Sequence, residues 1–227
     1  MVYTRIFPKE SLPFNQAEAL RYFGYAKNQT PPPKEVQNLF DECVKEALAV
    51  CSYKVCYASF DILREEDGKT LNLGFTKTNS KSLLRNLAGC DKIIAFCATV
   101  GLDIDRLINR YSAISPGKAY ALQAIGAERI ETLCNAFNGQ IQAEYAAQGL
   151  FTRPRFSCGY GDFPLEIQKD FFAALDCARK IGVTVTDGLF MSPSKSVTAL
   201  VGVGKTPCTE ETHKCSNCYD QNCSFRE

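Results

Sequence analysis

The segment GVTVTDGLFMSPSKSVTALVGVG, residues 182–204, decides the fold class. Its two ends are rich in β-branched residues, and this composition predicts two strands joined by the linker LFMSPSK. A third apolar run, DKIIAFCATVG at 91–101, predicts a buried strand that ends in a glycine turn. The core of the chain therefore contains a sheet.

A hairpin is predicted upstream of these strands. The runs CYASFDIL (56–63) and TLNLGFT (70–76) flank REEDGK, in which Asp67-Gly68 is a turn signal. Because each run has strand composition and the linker is short, we expect the two runs to pair with each other.

The longest helical pattern covers residues 115–149. Ser115 is the expected N-cap, Pro116 suits the first turn, and Gly149 is the expected end. Shorter helices are predicted after Asn15, after Ser80 and from Asp162 onward, each with a capping residue. Strands and long helices without repeated βαβ units predict a mixed α+β fold. We expect a helical arm at 1–52, an α+β core at 53–204 and a cysteine-rich tail at 205–227.

Composition excludes several function classes. The 227 residues include 26 basic and 25 acidic side chains, scattered along the chain, which argues against nucleic-acid binding. The N-terminus has no signal-peptide pattern and no apolar run is long enough to span a bilayer, so we expect a cytoplasmic protein without a membrane partner. No complete nucleotide-binding glycine loop is present, and the single histidine, His213, argues against a Ser-His or Cys-His enzyme.

The decapeptide RFSCGYGDFP, which starts at Arg155, carries more chemistry than a connector needs. Its glycines permit close backbone approach to a ligand, Arg155 can grip a carboxylate, and Tyr160 can stack on a flat ring. The alternative is a tight connection between helices, with Asp162 as N-cap and Tyr160 as core filler. The residues alone favour neither interpretation.

Two motifs in order resemble the activation domain of vitamin B12-dependent methionine synthase. That family carries an Arg-x-x-x-Gly-Tyr loop followed by a Met-x-Pro-x-x-Ser-Val segment, and the resemblance covers residues 90–203. The matching residues are Arg155, Gly159, Tyr160, Met191, Pro193, Ser196 and Val197. The resemblance implies a mainly antiparallel twisted sheet with long packed helices.

The resemblance also implies a function. In that family the domain binds S-adenosylmethionine beside the corrin, and an electron converts inactive Co(II) to Co(I), which takes the sulfonium methyl group. By this resemblance, Arg155 would hold the methionyl carboxylate and Glu131 the ammonium. Backbone groups of Ser157 and Gly159 would contact the ligand, and Tyr160 would lie between it and the corrin.

The chain differs from the family in ways that shape the expectation. Phe156, Cys158, Gly161 and Asp162 stand in a loop that is proline-rich in the family, which predicts a more flexible, more acidic loop. No Asp-x-His-x-x-Gly cobalamin motif is present. We therefore expect a free-standing activation domain of methionine biosynthesis. It would act in trans on a corrinoid-binding protein or a methionine synthase core, with a flavodoxin or ferredoxin as electron donor.

The tail has its own pattern. Its thiols have the spacing of a zinc site or an iron–sulfur cluster, with disulfides or free thiols as the alternatives. The predicted ligands are Cys208, Cys215, Cys218 and Cys223.

Two other functions stay open at the level of sequence. One is a non-catalytic accessory module that binds a corrinoid protein or a metal and has lost the methyl-donor site. The other is a methyltransferase that uses S-adenosylmethionine for a different acceptor.

Overall fold

The computed structural model describes residues 1–25 and 30–207. The helices are α1 (Gln16–Tyr22), α2 (Lys34–Val50), α3 (Lys81–Asn86), α4 (Asp103–Ile114), α5 (Pro116–Ala146), α6 (Gln168–Leu175) and α7 (Cys177–Ile181). The strands are β1 (Tyr3–Phe7), β2 (Tyr53–Asp61), β3 (Leu63–Arg64), β4 (Leu71–Asn72), β5 (Lys77–Thr78), β6 (Cys90–Thr99), β7 (Phe151–Thr152), β8 (Thr184–Val185), β9 (Met191–Ser192) and β10 (Ser196–Gly204). Short 3-10 helices cover Lys9–Ser11 and Leu165–Ile167.

An antiparallel five-stranded sheet forms the centre of the described chain, in the order β1-β2-β6-β10-β7. Strand β6 is central, because it pairs with β2 on one side and with β10 on the other, and it is buried from Ile93 to Thr99. Its side chains alternate between the two faces of the sheet, so each face receives its own set of apolar residues. The β6–β10 pair is the rigid base on which the candidate site is built.

Helices cover both faces of the sheet. One face packs Ile94 and Phe96 of β6 against a cluster that includes apolar residues of α1, α2, α4 and α5. The other face packs Ile93 and Cys97 into a second cluster, which includes residues of α3, α6 and α7. The long helix α5 therefore lies on one side of β10, and the loop that follows Arg155 contributes buried side chains to the other.

Several local predictions are confirmed. Asn15 accepts a hydrogen bond from the Glu18 amide, and Ser80 accepts one from the Leu83 amide, as N-caps do. Pro116 is the first residue of α5. The turn at Asp67-Gly68 is present, with Gly68 at a positive φ of 65°.

Other predictions are right only in part. The run from Cys56 is divided: its residues up to Asp61 belong to β2, which pairs with β1 and β6, whereas Leu63 belongs to β3 and pairs with Asn72 of β4, so only the end of the run forms the predicted hairpin. Strands β3, β4 and β5 form a small separate sheet. Ser115 makes no side-chain cap for α5. Strand pairing depends on contacts far apart in sequence, which local patterns do not report.

The predicted arm also contributes a strand, β1, to the central sheet, and the boundary near residue 52 stays a prediction. Among the described residues, no helix is both long enough and apolar enough to cross a membrane.

Candidate functional site

Arg155 is carried by a segment that β10 holds in place. The Arg153 amide donates to the Gly202 carbonyl at 2.8 Å, and the Phe156 amide donates to the Leu200 carbonyl at 2.9 Å. The segment thus continues the sheet edge begun by β7, which it follows directly in the sequence. Arg155 gains a fixed backbone from this pairing, so only its side chain has freedom.

The Arg155 guanidinium reaches across to α5. It donates to Glu131 Oε2 at 2.5 Å and to Asn135 Oδ1 at 2.7 Å. Glu131 and Asn135 are four residues apart on one helix, so they project from the same face. The Arg155 and Glu131 side chains are 25% and 38% exposed. Arg155 and Glu131, which the family resemblance assigned to opposite charges of one ligand, therefore lie side by side and within reach of solvent.

The loop after Arg155 folds on itself. The Gly159 amide donates to the Phe163 carbonyl at 2.8 Å, and the Tyr160 amide donates to the Ser157 carbonyl at 3.3 Å. Gly159 takes a φ of 85°, in the region that favours glycine. Among the described residues, the Ser157 amide and the Gly159 carbonyl have no hydrogen-bond partner. They are among the backbone groups of this loop that the described residues leave without a partner.

The residues that depart from the family pattern anchor this loop to α3. Asp162 accepts hydrogen bonds from the Ser80 hydroxyl at 2.6 Å and from the amides of Lys81 at 2.8 Å and Ser82 at 3.0 Å. These donors hold the pKa of Asp162 well below its usual range. A Cβ at Gly161 would lie 2.7 Å from Ser82 Oγ, so this close approach needs glycine.

The prediction that Asp162 begins the following helix is therefore wrong. That region starts with a 3-10 turn at Leu165. Asp162 instead accepts a hydrogen bond from Lys81 at the start of α3, 81 residues earlier in the sequence. A carboxylate at a helix N-terminus is favourable because it meets unpaired amides and the positive end of the helix dipole. The acidic charge in the loop is thus already satisfied by protein donors.

The Cys158 side chain points into the core and the Tyr160 side chain points into solvent. Cys158 is buried in the second core cluster, and burial raises the pKa of its thiol to about 12, which marks it as a packing residue. Tyr160 is 69% exposed. The interpretation of Tyr160 as core filler is wrong, because a core residue cannot leave most of its ring in solvent. Tyr160 is available to stack against a ligand or partner.

The second motif positions β10 and does not enter the loop. Ser196 is buried and donates to the Pro193 carbonyl at 2.8 Å. Ser194 donates its amide to Asp105 of α4 at 2.7 Å. Just before the motif, Phe190 is 76% exposed at the tip of the β8–β9 hairpin. Gln168 donates to the Leu189 carbonyl at 3.4 Å and so connects this hairpin to the element after the loop.

Helix α1 adds polar groups that sequence reasoning missed. Arg21 pairs with Glu18 one turn earlier, and its guanidinium lies 4.6 Å from the centre of the Tyr22 ring. Burial and the carboxylates of Glu131 and Glu18 raise the pKa of the Tyr22 hydroxyl. Tyr22 is therefore close enough to Glu131 for the charge of this carboxylate to act on its hydroxyl. No motif marks α1, because its role depends on how the N-terminal segment docks on α5.

The metal prediction for the tail lies outside the described residues. Within residues 1–25 and 30–207, no group of three or more histidine, cysteine or acidic side chains is arranged to hold a metal ion.

The fold resembles that of a solved structure described as the MetH reactivation domain bound to AdoHcy. The TM-score is 0.68 at 14% sequence identity, and the match covers 89% of this chain and 78% of that chain. No protein-family model and no curated protein matches the sequence. At this identity the likeness shows the fold alone. At that level it confirms the resemblance to the methionine synthase activation domain and the mixed, mainly antiparallel α+β fold.

Proposed function

We propose that this protein binds S-adenosylmethionine and reactivates a cobalamin-dependent methyltransferase in trans, by reductive methylation of its Co(II) corrinoid. The observation that carries the proposal is the half-exposed Arg155–Glu131 pair beside a glycine loop, on a fold that resembles a reactivation domain solved with AdoHcy. The partner is a corrinoid-binding protein or a methionine synthase core.

The site suits the amino-acid part of this ligand. A methionyl group carries a carboxylate and an ammonium on one carbon, and the site offers a guanidinium and a carboxylate side by side. Without a ligand the two side chains neutralise each other. A bound zwitterion would take over both charges, with Arg155 on its carboxylate and Glu131 on its ammonium.

The loop supplies the remaining contacts. The unpaired Ser157 amide and Gly159 carbonyl would contact the ligand, and the exposed Tyr160 ring would separate it from the corrin. Asp162 and Gly161 hold the loop on α3, so the departures from the family pattern serve loop geometry. The corrin and the sulfonium methyl supply the reactivity, and this chain contributes binding, orientation and exclusion of water.

A calorimetric titration tests the site. S-adenosylmethionine should bind the wild type and bind Arg155→Ala at least about tenfold more weakly, since hydrogen bonds between charged groups are lost. Arg106→Ala is the matched control, because Arg106 is an exposed arginine paired one turn along its own helix. Equal binding by Arg155→Ala and Arg106→Ala would contradict the site. Absence of binding by the wild type would favour the alternative of a non-catalytic accessory module.

The tail and the electron supply are part of the proposal. Four cysteine ligands at Cys208, Cys215, Cys218 and Cys223 would bind zinc or an iron–sulfur cluster, and a cluster would suit electron transfer at low potential. The external donor would be a flavodoxin or ferredoxin in the cytoplasm. Anaerobically purified protein should contain zinc or iron in stoichiometric amount, and Cys215→Ser should lose it. Protein free of both metals would contradict the tail site.

A further inference from the structure

Three thiols from three different elements meet in the second core cluster. Cys56 lies on β2 and Cys97 on β6, directly opposite each other in the strand register. Cys177 is the first residue of α7, and its sulfur lies 3.9 Å from the sulfur of Cys56. All three side chains are completely buried, and the three cysteines are free.

The neighbouring thiols distinguish this group from the other buried cysteines. The Cys177 and Cys97 thiols beside the Cys56 sulfur lower the pKa of Cys56, because they can donate to its thiolate. The neighbouring Cys56 in turn raises the pKa of Cys177. For Cys43 and Cys134, by contrast, burial raises the pKa of each thiol, to about 11 and about 12. The trio therefore contains one thiol that is easier to ionise than an isolated core thiol, and the thiolate is the nucleophile in disulfide exchange.

Helix α7 covers the trio and is bounded by two residues in the left-handed region. Asp176 takes a φ of 50° just before it, and Gly182 takes a φ of 74° just after it. The helix is only five residues long. Opening at these two ends would lift Cys177 away from the sheet and give a small reagent access to Cys56.

We propose that the trio is a site of reversible oxidation, in which Cys56 and Cys177 form an internal disulfide by exchange with a low-molecular-weight disulfide. The Cys56 thiolate attacks one sulfur of the reagent, whose other half leaves as a thiolate and takes up a proton. The Cys177 sulfur then loses its proton and attacks Cys56, and the second half of the reagent leaves and is protonated. Two protein thiols are oxidised and the small disulfide is reduced to two thiols.

The pairing follows from the geometry. Strands β2 and β6 are already joined by their hydrogen-bond ladder. Cys177 of α7 instead meets Cys56 of β2 through a weak thiol–thiol contact at 3.9 Å. A bond between Cys56 and Cys177 would fix α7, and with it the end of α6, to the central sheet. This inference does not depend on the proposed ligand.

Peptide mapping tests the pairing on the native full-length protein. After treatment with oxidised glutathione and alkylation, trypsin releases peptides 55–64, 93–106 and 170–179, each with one cysteine of the trio. We expect peptides 55–64 and 170–179 to be linked in the wild type and in Cys97→Ser, and the link to disappear on adding a reductant. Cys177→Ser and Cys177→Ala should lack it while keeping the far-ultraviolet circular dichroism of the wild type.

Three results would overturn the proposal. The first is no link at any reagent concentration that leaves the protein folded. The second is a link that forms only in denaturant. The third is a native-state link between Cys56 and Cys43 or Cys134 as abundant as that with Cys177. A thermal melt supplies an independent readout, because the linked protein should unfold at a higher temperature than its reduced form.

Discussion

Helix α5 carries the glutamates of two glutamate–arginine pairs, Glu128 and Glu131, and the two pairs differ in burial. Glu128 and Arg129 are 1% and 0% exposed, and their nitrogen and oxygen atoms lie 2.6 Å apart. Glu131 pairs with Arg155 only 3 positions later, with both side chains reached by solvent. The same two residue types thus form one buried pair and one solvent-accessible pair, called the wet pair below.

The buried pair is saturated with protein partners. Arg129 donates to the carbonyls of Leu12 and Pro13, at 2.9 and 2.7 Å. Glu128 accepts from the Asn15 amide at 3.0 Å. Every one of these contacts fastens the segment before α1 to α5. The wet pair has no comparable set of bonds, so it is free to exchange its partner for a ligand. Burial decides which pair is structural and which can bind.

Breaking the buried pair should have the largest effect. Arg129→Met leaves the Glu128 carboxylate buried without its cation, and the expected loss is about 3–5 kcal/mol in the free energy of unfolding. Urea denaturation measures it. The double variant Glu128→Gln/Arg129→Met should be more stable than Arg129→Met, because no buried charge is then left unpaired. If Arg129→Met is as stable as the wild type, the buried Glu128–Arg129 pair does not stabilise the fold.

Breaking the wet pair should affect binding and leave folding almost unchanged. Arg155→Ala should change the free energy of unfolding by less than about 1 kcal/mol, since exposed ion pairs contribute little. The same variant should weaken S-adenosylmethionine binding at least about tenfold. Glu131→Gln, which keeps the shape and removes the charge, should also weaken binding without loss of stability. A large loss of stability in either variant would erase the difference between the two pairs.

The anchor of the loop should respond to pH. The pKa of Asp162 is lowered in the folded state, so its charge stabilises the fold above the ordinary aspartate pKa of about 3.9. That contribution is lost as the pH falls below this value and through the folded pKa. Asp162→Asn should therefore melt at a lower temperature than the wild type at neutral pH, with the gap narrowing as the solution is acidified. A gap that is constant with pH would contradict the charge-based anchor.

The smallest effect is expected at Tyr22. Tyr22→Phe removes one neutral hydroxyl whose pKa responds to the Glu131 carboxylate, so S-adenosylmethionine binding should weaken by about threefold, within the range for a neutral hydrogen bond. Tyr120→Phe is the control, because Tyr120 is exposed and packs on Phe23 through its ring. If Tyr22→Phe binds as tightly as Tyr120→Phe, α1 does not contribute to the site.

Sequence reasoning succeeded where the determinant is local. The caps at Asn15 and Ser80 and the proline at the start of α5 were predictable, because each depends on residues within one helical turn. The two motifs in order also led to the fold. The juxtaposition of Arg155 with Glu131 had been expected only from the family resemblance.

The missed features all depend on distant contacts. Strand β2 pairs with β6 and not with the run after its turn, and Asp162 caps a helix far upstream in the sequence. The charge of Glu131 acts on Tyr22 of α1. The hydrogen bond from Arg129 to the Leu12 carbonyl fastens the segment before α1 to α5. None of these partners lies within one helical turn or hairpin of its residue, so local periodicity and capping rules had no signal to read.

Methyl transfer to a corrinoid protein tests the central claim most directly. A cobalamin-dependent methionine synthase core held in the Co(II) state is mixed with methyl-labelled S-adenosylmethionine and a low-potential reductant. The account predicts that labelled methyl accumulates on cobalt when this protein is added and that Arg155→Ala fails where Arg106→Ala succeeds. Labelling at the same rate without the protein, or with Arg155→Ala as with the wild type, would contradict it.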